Sequence, residues 1–530
     1  MARRFEVTVL GLYALFISIV SARHEPWNDE TQAWRLAIDS KGVADLVHNA
    51  RYEGHPLLWH LMLQALGHLS RSWWPVVVLH VVIACIGAWL VLRYAPFTRL
   101  QKVLVVFGYW SAYEYAVVAR PYGLGMMLGF AACVAWLAPR RRVGWTIVCL
   151  VLMANTTAMG TMLALALAAA FVFDWLWPDG EAQHPSRRVR VMVTLTAGAL
   201  ALLVFLIAVR QIRPPADAAF QGTTPTSLSR WIIASIPTFE LRALLPLVYW
   251  RDTAEWNQWL LQPDTTYMLA LVLLLAVVYL AIGLLIASRR RVALLFFVLG
   301  TGGFLIFFGF LFDGVGRHHG YLFVVWIISA WLACSGAPSE RPVALRRLNT
   351  GVEPSRGNLL VLSLVVPVLA TIELATSDIL SPFSDARHVA DVIRGAGLLN
   401  APIIAVSGSD AQSVSAFTDR PVLFPLDGKM RTFVVWGNDK SYARAARAAD
   451  SATTALLTRH CNVVLIASSA HEIASETAAR AHMLYTTNFR PMSGARYRVW
   501  VASAPASARC PAPRNPAAPA PSAPQSKSTS

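Results

Sequence analysis

Two successive carboxylates, Asp29 and Glu30, stand in the run Trp27-Asn28-Asp29-Glu30-Thr31-Gln32-Ala33-Trp34, a few residues past the first apolar segment of the chain. One member of such a pair can take a proton from a hydroxyl while the other orients a reactant or holds a cation. Cationic groups suited to an anion occur far away in sequence, as Arg120 and as Arg317-His318-His319. Guanidinium groups hold phosphate through paired, charge-assisted hydrogen bonds, so proton transfer beside a bound phosphate is chemistry that these residue types can support. Each group also has an ordinary role open to it. Asp29 as N-cap with Gln32 three positions later is a capping-box pattern, and Glu30 in a first turn suits the helix dipole. An arginine at a membrane interface can simply snorkel to lipid headgroups.

The elements that must position these groups are membrane helices. The 530 residues are 56% hydrophobic and 14% charged, about half the charged share of a soluble protein. The net charge of +16 does not form the single patch that nucleic acid would require. Basic residues recur instead in short clusters between apolar runs, such as Arg140-Arg141-Arg142, Arg187-Arg188 and Arg289-Arg290-Arg291. Excess Lys and Arg in this pattern mark cytoplasmic loops. Arg3 and Arg4 precede the first apolar run, which lacks a clean small-x-small cleavage site at Ser21-Ala22-Arg23. It reads as an uncleaved first helix with a cytoplasmic N-terminus.

With that orientation, spans of roughly Phe5 to Ala22, Trp74 to Tyr94, Val103 outward to the Tyr109–Tyr115 region, a return to Pro139, two between Val143 and Trp177 turning at Asn155-Thr156-Thr157, and Val191 to Val209 follow one another. Four more run roughly from Tyr267 to Ala287, Val292 to Phe312, Tyr321 to Cys334 and Leu359 to Ala375. About eleven spans result, and every clustered basic loop then falls on one side. The loop 23–73, the loop 210–266 and the hairpin Asp313–Gly320 fall on the other, and with them Asp29, Glu30, His55, Arg120, Arg317, His318 and His319. Asp29 would open a helix lying along the membrane surface, with Trp34, Leu36, Ala37 and Ile38 toward lipid. Pro56 would open a second surface helix over Leu57 to Leu69.

His55, directly before Pro56, suits either an N-cap or a substrate contact. Glu114 lies inside an apolar run, where a carboxylate is costly unless paired or wetted, so it should face the protein interior. Arg120 is close enough along the chain to reach it through another group; proton relay, hydroxyl binding and a structural ion pair are all open to it.

From residue 377 the apolar runs shorten to strand length, at Pro402–Val406, Thr432–Trp436, Val463–Ile466 and Tyr497–Val501. Ala-rich stretches at Asp385–Gly395 and Tyr442–Leu457 alternate with them, which predicts a small α/β domain, 377–504, with a mainly parallel sheet on the outer face. The Pro/Ala/Ser tail 505–530 reads as disordered. Cys85, Cys133, Cys149 and Cys334 fall in apolar runs and read as buried thiols. Cys461 and Cys510 can pair if their region is exported.

The run around Asp29-Glu30, the Gly54-His55-Pro56-Leu57 element, Ala119-Arg120-Pro121-Tyr122-Gly123-Leu124 and the Arg317-His318-His319-Gly320 hairpin together resemble bacterial integral-membrane glycosyltransferases of the C-type superfamily. Those are related to the protein O-mannosyltransferases and the lipid A aminoarabinose transferases. The resemblance covers residues 1–376 and departs from the mannosyltransferase pattern in its single proline after His55. It implies an inner-membrane enzyme that moves a hexosyl or pentosyl group from a polyprenyl-phosphate carrier to a lipid, glycan or protein acceptor on the periplasmic face. Asp29 and Glu30 would then be catalytic, with Asp29 the base of an inverting transfer. Arg120, Arg317 and His318 would bind the donor phosphate, and His55, Glu114 and Tyr122 would orient substrate. No metal site is indicated by spacing. A divalent ion is compatible with the carboxylate pair, yet hard cations take several oxygen ligands and only two are evident. A transporter or lipid flippase is the alternative, and it predicts ionisable residues near mid-membrane in several helices.

Overall fold

The computed structural model describes residues 2–138, 142–177, 186–218, 236–247, 256, 260–261, 265–335, 353–406, 411–437, 442–468, 473 and 475–505. Arg140, Arg141, Cys510 and the tail from 506 lie outside them. Among the described residues, seven helices are long and apolar enough to cross a membrane. They lie in α1 (Ala2–Arg23), α5 (Trp74–Tyr94), α9 (Ala158–Leu176), α10 (Arg187–Ile212), α12 (Thr266–Ala287), α13 (Arg291–Phe310) and α15 (Glu353–Leu380), while α11 (Ile236–Leu244) is too short to cross. Leu195, Leu202, Leu203 and Leu206 of α10, and Leu274 and Val277 of α12, lie on the exterior, as lipid-facing side chains would.

The other four expected spans are shorter, broken or enclosed. The one from Val103 is split into α6 (Arg99–Val106) and a π-helical turn at Trp110–Glu114. The return is α7 (Tyr122–Trp136), and α8 (Val143–Ala154) turns at Asn155 into α9 as the sequence predicts. In α14 (Gly316–Cys334) nearly every residue from Gly316 onward is buried. Two glycines permit that enclosure. A Cβ on Gly320 would overlap the Trp110 ring and the Tyr115 hydroxyl, and one on Gly123 would overlap the Tyr115 carbonyl oxygen. The Tyr115 carbonyl is backbone and cannot yield, and the Trp110 and Tyr115 side chains are themselves fully buried, so α14 and α7 approach the π turn closely only because these positions lack side chains.

Between α1 and α5 lie α2 (Asn28–Asp39), α3 (Val43–Asn49) and α4 (Leu58–Gly67). The helix begun at the carboxylate pair forms, but its surroundings correct the sequence expectation. Trp34, Leu36 and Ala37 are 3%, 0% and 0% exposed: protein covers the face that was expected to meet lipid. One side of α2 packs on α4, and another packs on the C-terminal domain. The second surface helix likewise starts at Leu58 with Leu57 as its N-cap, so neither Pro56 nor His55 opens it.

The C-terminal domain is a six-stranded sheet in the order β3-β2-β1-β4-β6-β5. Its strands are β1 (Ile403–Ala405), β2 (Val422–Phe424), β3 (Lys429–Arg431), β4 (Asn462–Ser468), β5 (Ala481–Thr486) and β6 (Tyr497–Ser503). Only β1–β2 and β1–β4 pair in parallel, while β2–β3, β4–β6 and β5–β6 are antiparallel. The sheet is therefore mixed rather than mainly parallel. Helices α16 (Ala386–Gly395), α17 (Ala411–Thr418) and α18 (Tyr442–Leu457) flank it. Cys461, at the foot of β4, is disulfide-bonded.

The expected strand at Thr432–Trp436 does not form, because its backbone has other partners. The Val434 N–H donates to Gln32 Oε1 at 2.9 Å, and Gln32 Nε2 donates to the Val434 carbonyl at 2.8 Å. A side-chain amide thus takes the place of a neighbouring strand and fastens α2 to the domain. Asn28 and Thr31 add bonds to Ser413 at 2.6 and 2.9 Å. Arg35 and Arg71 both pair with Asp39 and Asp419. Replacing Gln32 by Ala strands a buried N–H and a buried C=O, each costing about 1–3 kcal/mol. Gln32→Ala is therefore expected to lower the thermal midpoint in detergent and to speed proteolytic release of the C-terminal domain. A midpoint and a digestion rate matching the parent would refute this docking role.

Candidate active site

The two carboxylates point in different directions because neighbouring helical residues are rotated by about 100°. Glu30 turns inward and is 1% exposed. Its Oε2 accepts the Trp27 backbone N–H at 3.1 Å, and the Glu30 N–H donates to the Trp27 carbonyl at 3.0 Å. Trp27, not Asp29, is thus the N-cap residue, with the reciprocal bonding displaced by two positions from the expected pattern. Glu30 Oε1 accepts the Ala119 N–H at 2.7 Å, and His24 Nε2 lies 3.0 Å from Oε2. Both oxygens are engaged by the protein itself, so this residue fixes the loop instead of meeting an acceptor or a metal.

The other ring nitrogen of His24 lies 2.8 Å from Asp378 Oδ2, which also accepts from the Tyr113 hydroxyl at 3.1 Å. Burial opposes the charge on His24, but Asp378 and Glu30 outweigh it and hold its pKa well above the ordinary histidine value. A buried cation between two buried carboxylates ties together the end of α1, the start of α2 and the end of α15.

Asp29 turns outward, with its side chain 26% exposed. Its Oδ2 is 2.8 Å from Arg317 Nη2 and 3.8 Å from Arg120 Nη2. Arg120 Nη1 also donates to the Asp29 backbone carbonyl at 2.6 Å. The Arg317 guanidinium lies against a pair of indoles that meet edge to face at 4.8 Å, 5.2 Å from the Trp27 ring and 5.4 Å from that of Trp256, in cation–π contact with both. Trp256 is held in turn by Glu114, whose Oε2 accepts from its Nε1 at 2.7 Å and from the Tyr109 hydroxyl at 2.6 Å. Glu114 does face inward as expected. Its hydrogen bonds nevertheless run to Tyr109 and Trp256, which makes it a support for Arg317.

His55 is not a cap: its Nε2 lies 3.4 Å from Arg120 Nη2. Burial first, then the neighbouring Arg120, hold its pKa well below the ordinary value. The ring is neutral, and because Nε2 receives the guanidinium, Nδ1 carries the proton. No hydrogen-bond acceptor meets that Nδ1–H among the described residues. The Tyr122 ring lies 6.4 Å from that of His55, 6.0 Å from the Arg120 guanidinium carbon and 5.6 Å from the His318 ring. His318 Nδ1 accepts the Val315 N–H at 2.9 Å, which puts its proton on Nε2. His319 is separate: it is fully buried between Phe239 and Phe308, bonded to the Asp313 carbonyl at 2.8 Å.

Of the residues singled out from sequence, Asp29, Arg120, Arg317, His55, Tyr122 and His318 come together, with Glu30 and Glu114 behind them as supports. They gather where α1 and α15 end and where α5, α7 and α14 begin. Sequence reasoning missed His24, Asp378, Trp256 and Glu53. Glu53 Oε1 accepts from Gln32 Nε2 at 2.8 Å, and burial pushes its pKa up to about 7, against the opposing Gln32 bond and the Arg120 charge. No spacing could have exposed them, since each partner is distant or sits in an unremarkable loop. Among the described residues, no three His, Cys, Asp or Glu side chains converge as a metal site. A separate cavity of about 800 Å³ lined by Asp174 and Arg290 lies toward the other end of the helices and shares none of these residues.

Neither a known family description nor any curated protein matches the chain. Two solved structures are similar to it. ArnT from Cupriavidus metallidurans, in a crystal structure bound to undecaprenyl phosphate, is 13% identical; the match covers 95% of this chain and 99% of that one, with a TM-score of 0.47. The arabinofuranosyltransferase AftD from Mycobacteria, solved by single-particle cryo-EM, is also 13% identical; that match covers 95% of this chain and 40% of AftD, with a TM-score of 0.39. At TM-scores below 0.5 neither likeness bears on what this chain does, which is read from its own side chains.

Removing His24 leaves two buried carboxylates without their counter-charge, a loss of about 3–5 kcal/mol. His24→Gln should therefore melt well below the parent at neutral pH. Because the folded-state pKa is raised, the imidazolium's contribution is complete below about pH 6.5. It fades as pH rises through the folded-state value. The parent's melting temperature should fall over that alkaline range by an increment that His24→Gln lacks; parallel curves would show that His24 is neutral in the fold.

Proposed function

We propose that this chain is a C-type membrane glycosyltransferase. It moves a sugar from a polyprenyl-phosphate carrier to an acceptor hydroxyl on the extracytosolic face of a bacterial inner membrane. The observation that carries the reading is a partly exposed carboxylate, Asp29, beside two nearly buried guanidinium groups that indoles and histidine hold in place. Such a site supplies a base and a seat for a phosphate leaving group within one cluster of side chains, at one end of a helical bundle.

In this mechanism Asp29 accepts the proton of the acceptor hydroxyl as its oxygen bonds to the anomeric carbon. The bond from that carbon to the phosphate oxygen breaks on the opposite face, and its electron pair leaves with the carrier phosphate. Attack by the acceptor oxygen that this one base activates, opposite the leaving group, inverts the anomeric centre. Arg120 and Arg317 meet the charge that develops on the phosphate, and the donor hydrogens on His55 Nδ1 and His318 Nε2 supplement them. Phosphate leaves readily, so no general acid is required. Glu30 and Glu114 act behind the site, the first by fixing the loop and the second by holding Trp256 over Arg317. The sidedness follows from the basic clusters at the other end of the helices.

Loss of a general base typically slows a reaction by about 10²–10⁴-fold. Asp29→Asn should cut sugar transfer by that amount in membranes supplied with radiolabelled polyprenyl-phosphate sugars, while the protein accumulates and melts as the parent does. Transfer at the parental rate would rule out the assignment. If labelled donor instead crosses the bilayer intact, without label entering an acceptor, the chain is a flippase.

A further inference from the structure

We propose that Asp29 occupies the phosphate seat in the resting protein, so that the donor phosphate must displace it before it can serve as the base. This rests on the glycosyltransferase reading above and specifies an order of events within the same site. The carboxylate oxygen Oδ2 lies within reach of both guanidinium groups, 2.8 Å from Arg317 Nη2 and 3.8 Å from Arg120 Nη2. A phosphate oxygen bridging these two arginines would take the same position, since both anions seek the same N–H groups.

The cations cannot move aside to serve two anions at once. Arg317 rests against the paired indoles of Trp27 and Trp256 with its backbone carbonyl bonded by the Tyr115 hydroxyl, and Arg120 is tied to the Asp29 carbonyl and to His55. The backbone of the loop cannot withdraw either. Glu30, the next residue, is bound to His24, Trp27 and Ala119, and Asn28, the residue before, is bound to Ser413. What can move is the Asp29 side chain, which rotates about two bonds and is the most exposed of the three charged groups. The Nε–H groups of both arginines lack acceptors among the described residues, so Asp29 leaves donors of the seat unused; the donor phosphodiester brings two unesterified oxygens to the seat and the released carrier phosphate brings three.

Two consequences follow. A carboxylate bound to two arginines is not available to an acceptor hydroxyl, so the donor binds first and the acceptor second. After transfer the carboxylate, now protonated, gives up its proton and competes for the seat again, which favours departure of the carrier phosphate. An internal competitor weakens apparent affinity by the reciprocal of the fraction of time the site is free, so a tenfold effect corresponds to a seat free about one tenth of the time.

The test is titration of farnesyl phosphate into detergent-purified full-length protein, followed by calorimetry, for the parent, Asp29→Asn, Asp29→Ala and Arg317→Ala. Melting curves confirm that each variant is folded. Removing the competing charge should tighten binding by about tenfold in both Asp29 variants, a coupling of ordinary size, although the same variants lose transfer. Arg317→Ala should weaken binding by at least as much. If the Asp29 variants bind no more tightly while Arg317→Ala binds more weakly, the displacement is refuted and the phosphate seat stands. If Arg317→Ala binds as the parent does, the seat itself is elsewhere and the proposal falls with it.

Discussion

The constraint on which the rest depends is the buried sequence of charges Glu30, His24 and Asp378. Bringing three ionisable groups out of water is costly, and the cost is met only when geometry and hydrogen bonding are nearly complete. Here His24 reaches 3.0 Å to one carboxylate and 2.8 Å to the other. Glu30 spends its remaining capacity on the N–H groups of Trp27 and Ala119. Ala119 directly precedes Arg120, and Asp29 directly precedes Glu30. The same buried carboxylate therefore sets the spacing between the candidate base and one of its two cations. Partners 354 residues apart in sequence, His24 and Asp378, thereby set distances at the site.

A second restraint acts on α2 from the opposite side. Its length is enclosed by α4 and by the C-terminal domain, whose Val434 backbone, Ser413 and Asp419 hold Gln32, Asn28 and Arg35 respectively. Surface ion pairs contribute little, but the Gln32 amide and the Arg35 guanidinium are buried, where an unmade bond is expensive. The domain thus does more than sit beside the membrane part. A movement of the sheet relative to the helices would drag on the helix that begins with Asp29.

How far this was legible in the sequence depends on the distance over which each feature is specified. The helix starting at the carboxylate pair, the span Trp74 to Tyr94 and the turn at Asn155 are local, and periodicity and polar punctuation suffice for them. The burial of Trp34, Leu36 and Ala37 was not legible, because an apolar helix face looks alike whether lipid or protein covers it. Thr432 to Trp436 has strand-like composition, yet a glutamine from residue 32 takes its backbone bonds, and no window along the chain contains that fact. The antiparallel pairs β4–β6 and β5–β6 similarly overrode the alternation of strands and helices that suggested a parallel sheet. Among the site residues, a place at the outer ends of spans or in outer loops singled out Asp29, Arg120 and Arg317, and charge in an apolar run singled out Glu114. Trp256 and His24 looked ordinary, since their importance lies in what they touch.

Arg317 shows how these distant contributions combine on one group. An arginine 14% exposed beside a single carboxylate would be a modest ion pair in open water. Against Trp27 and Trp256 it is partly desolvated, and cation–π contact compensates for the water it has lost. Glu114 sets the Trp256 indole through its N–H, and the Tyr115 hydroxyl donates to the Arg317 backbone carbonyl at 2.6 Å. Two residues of one π turn and its edge therefore fix both the backbone and the flank of this cation. A π turn brings side chains onto one face at a spacing that a regular helix does not allow. Tyr109 and Glu114, five residues apart, meet in this way, so the break in the expected third span is what lets Glu114 hold Trp256 beside Arg317.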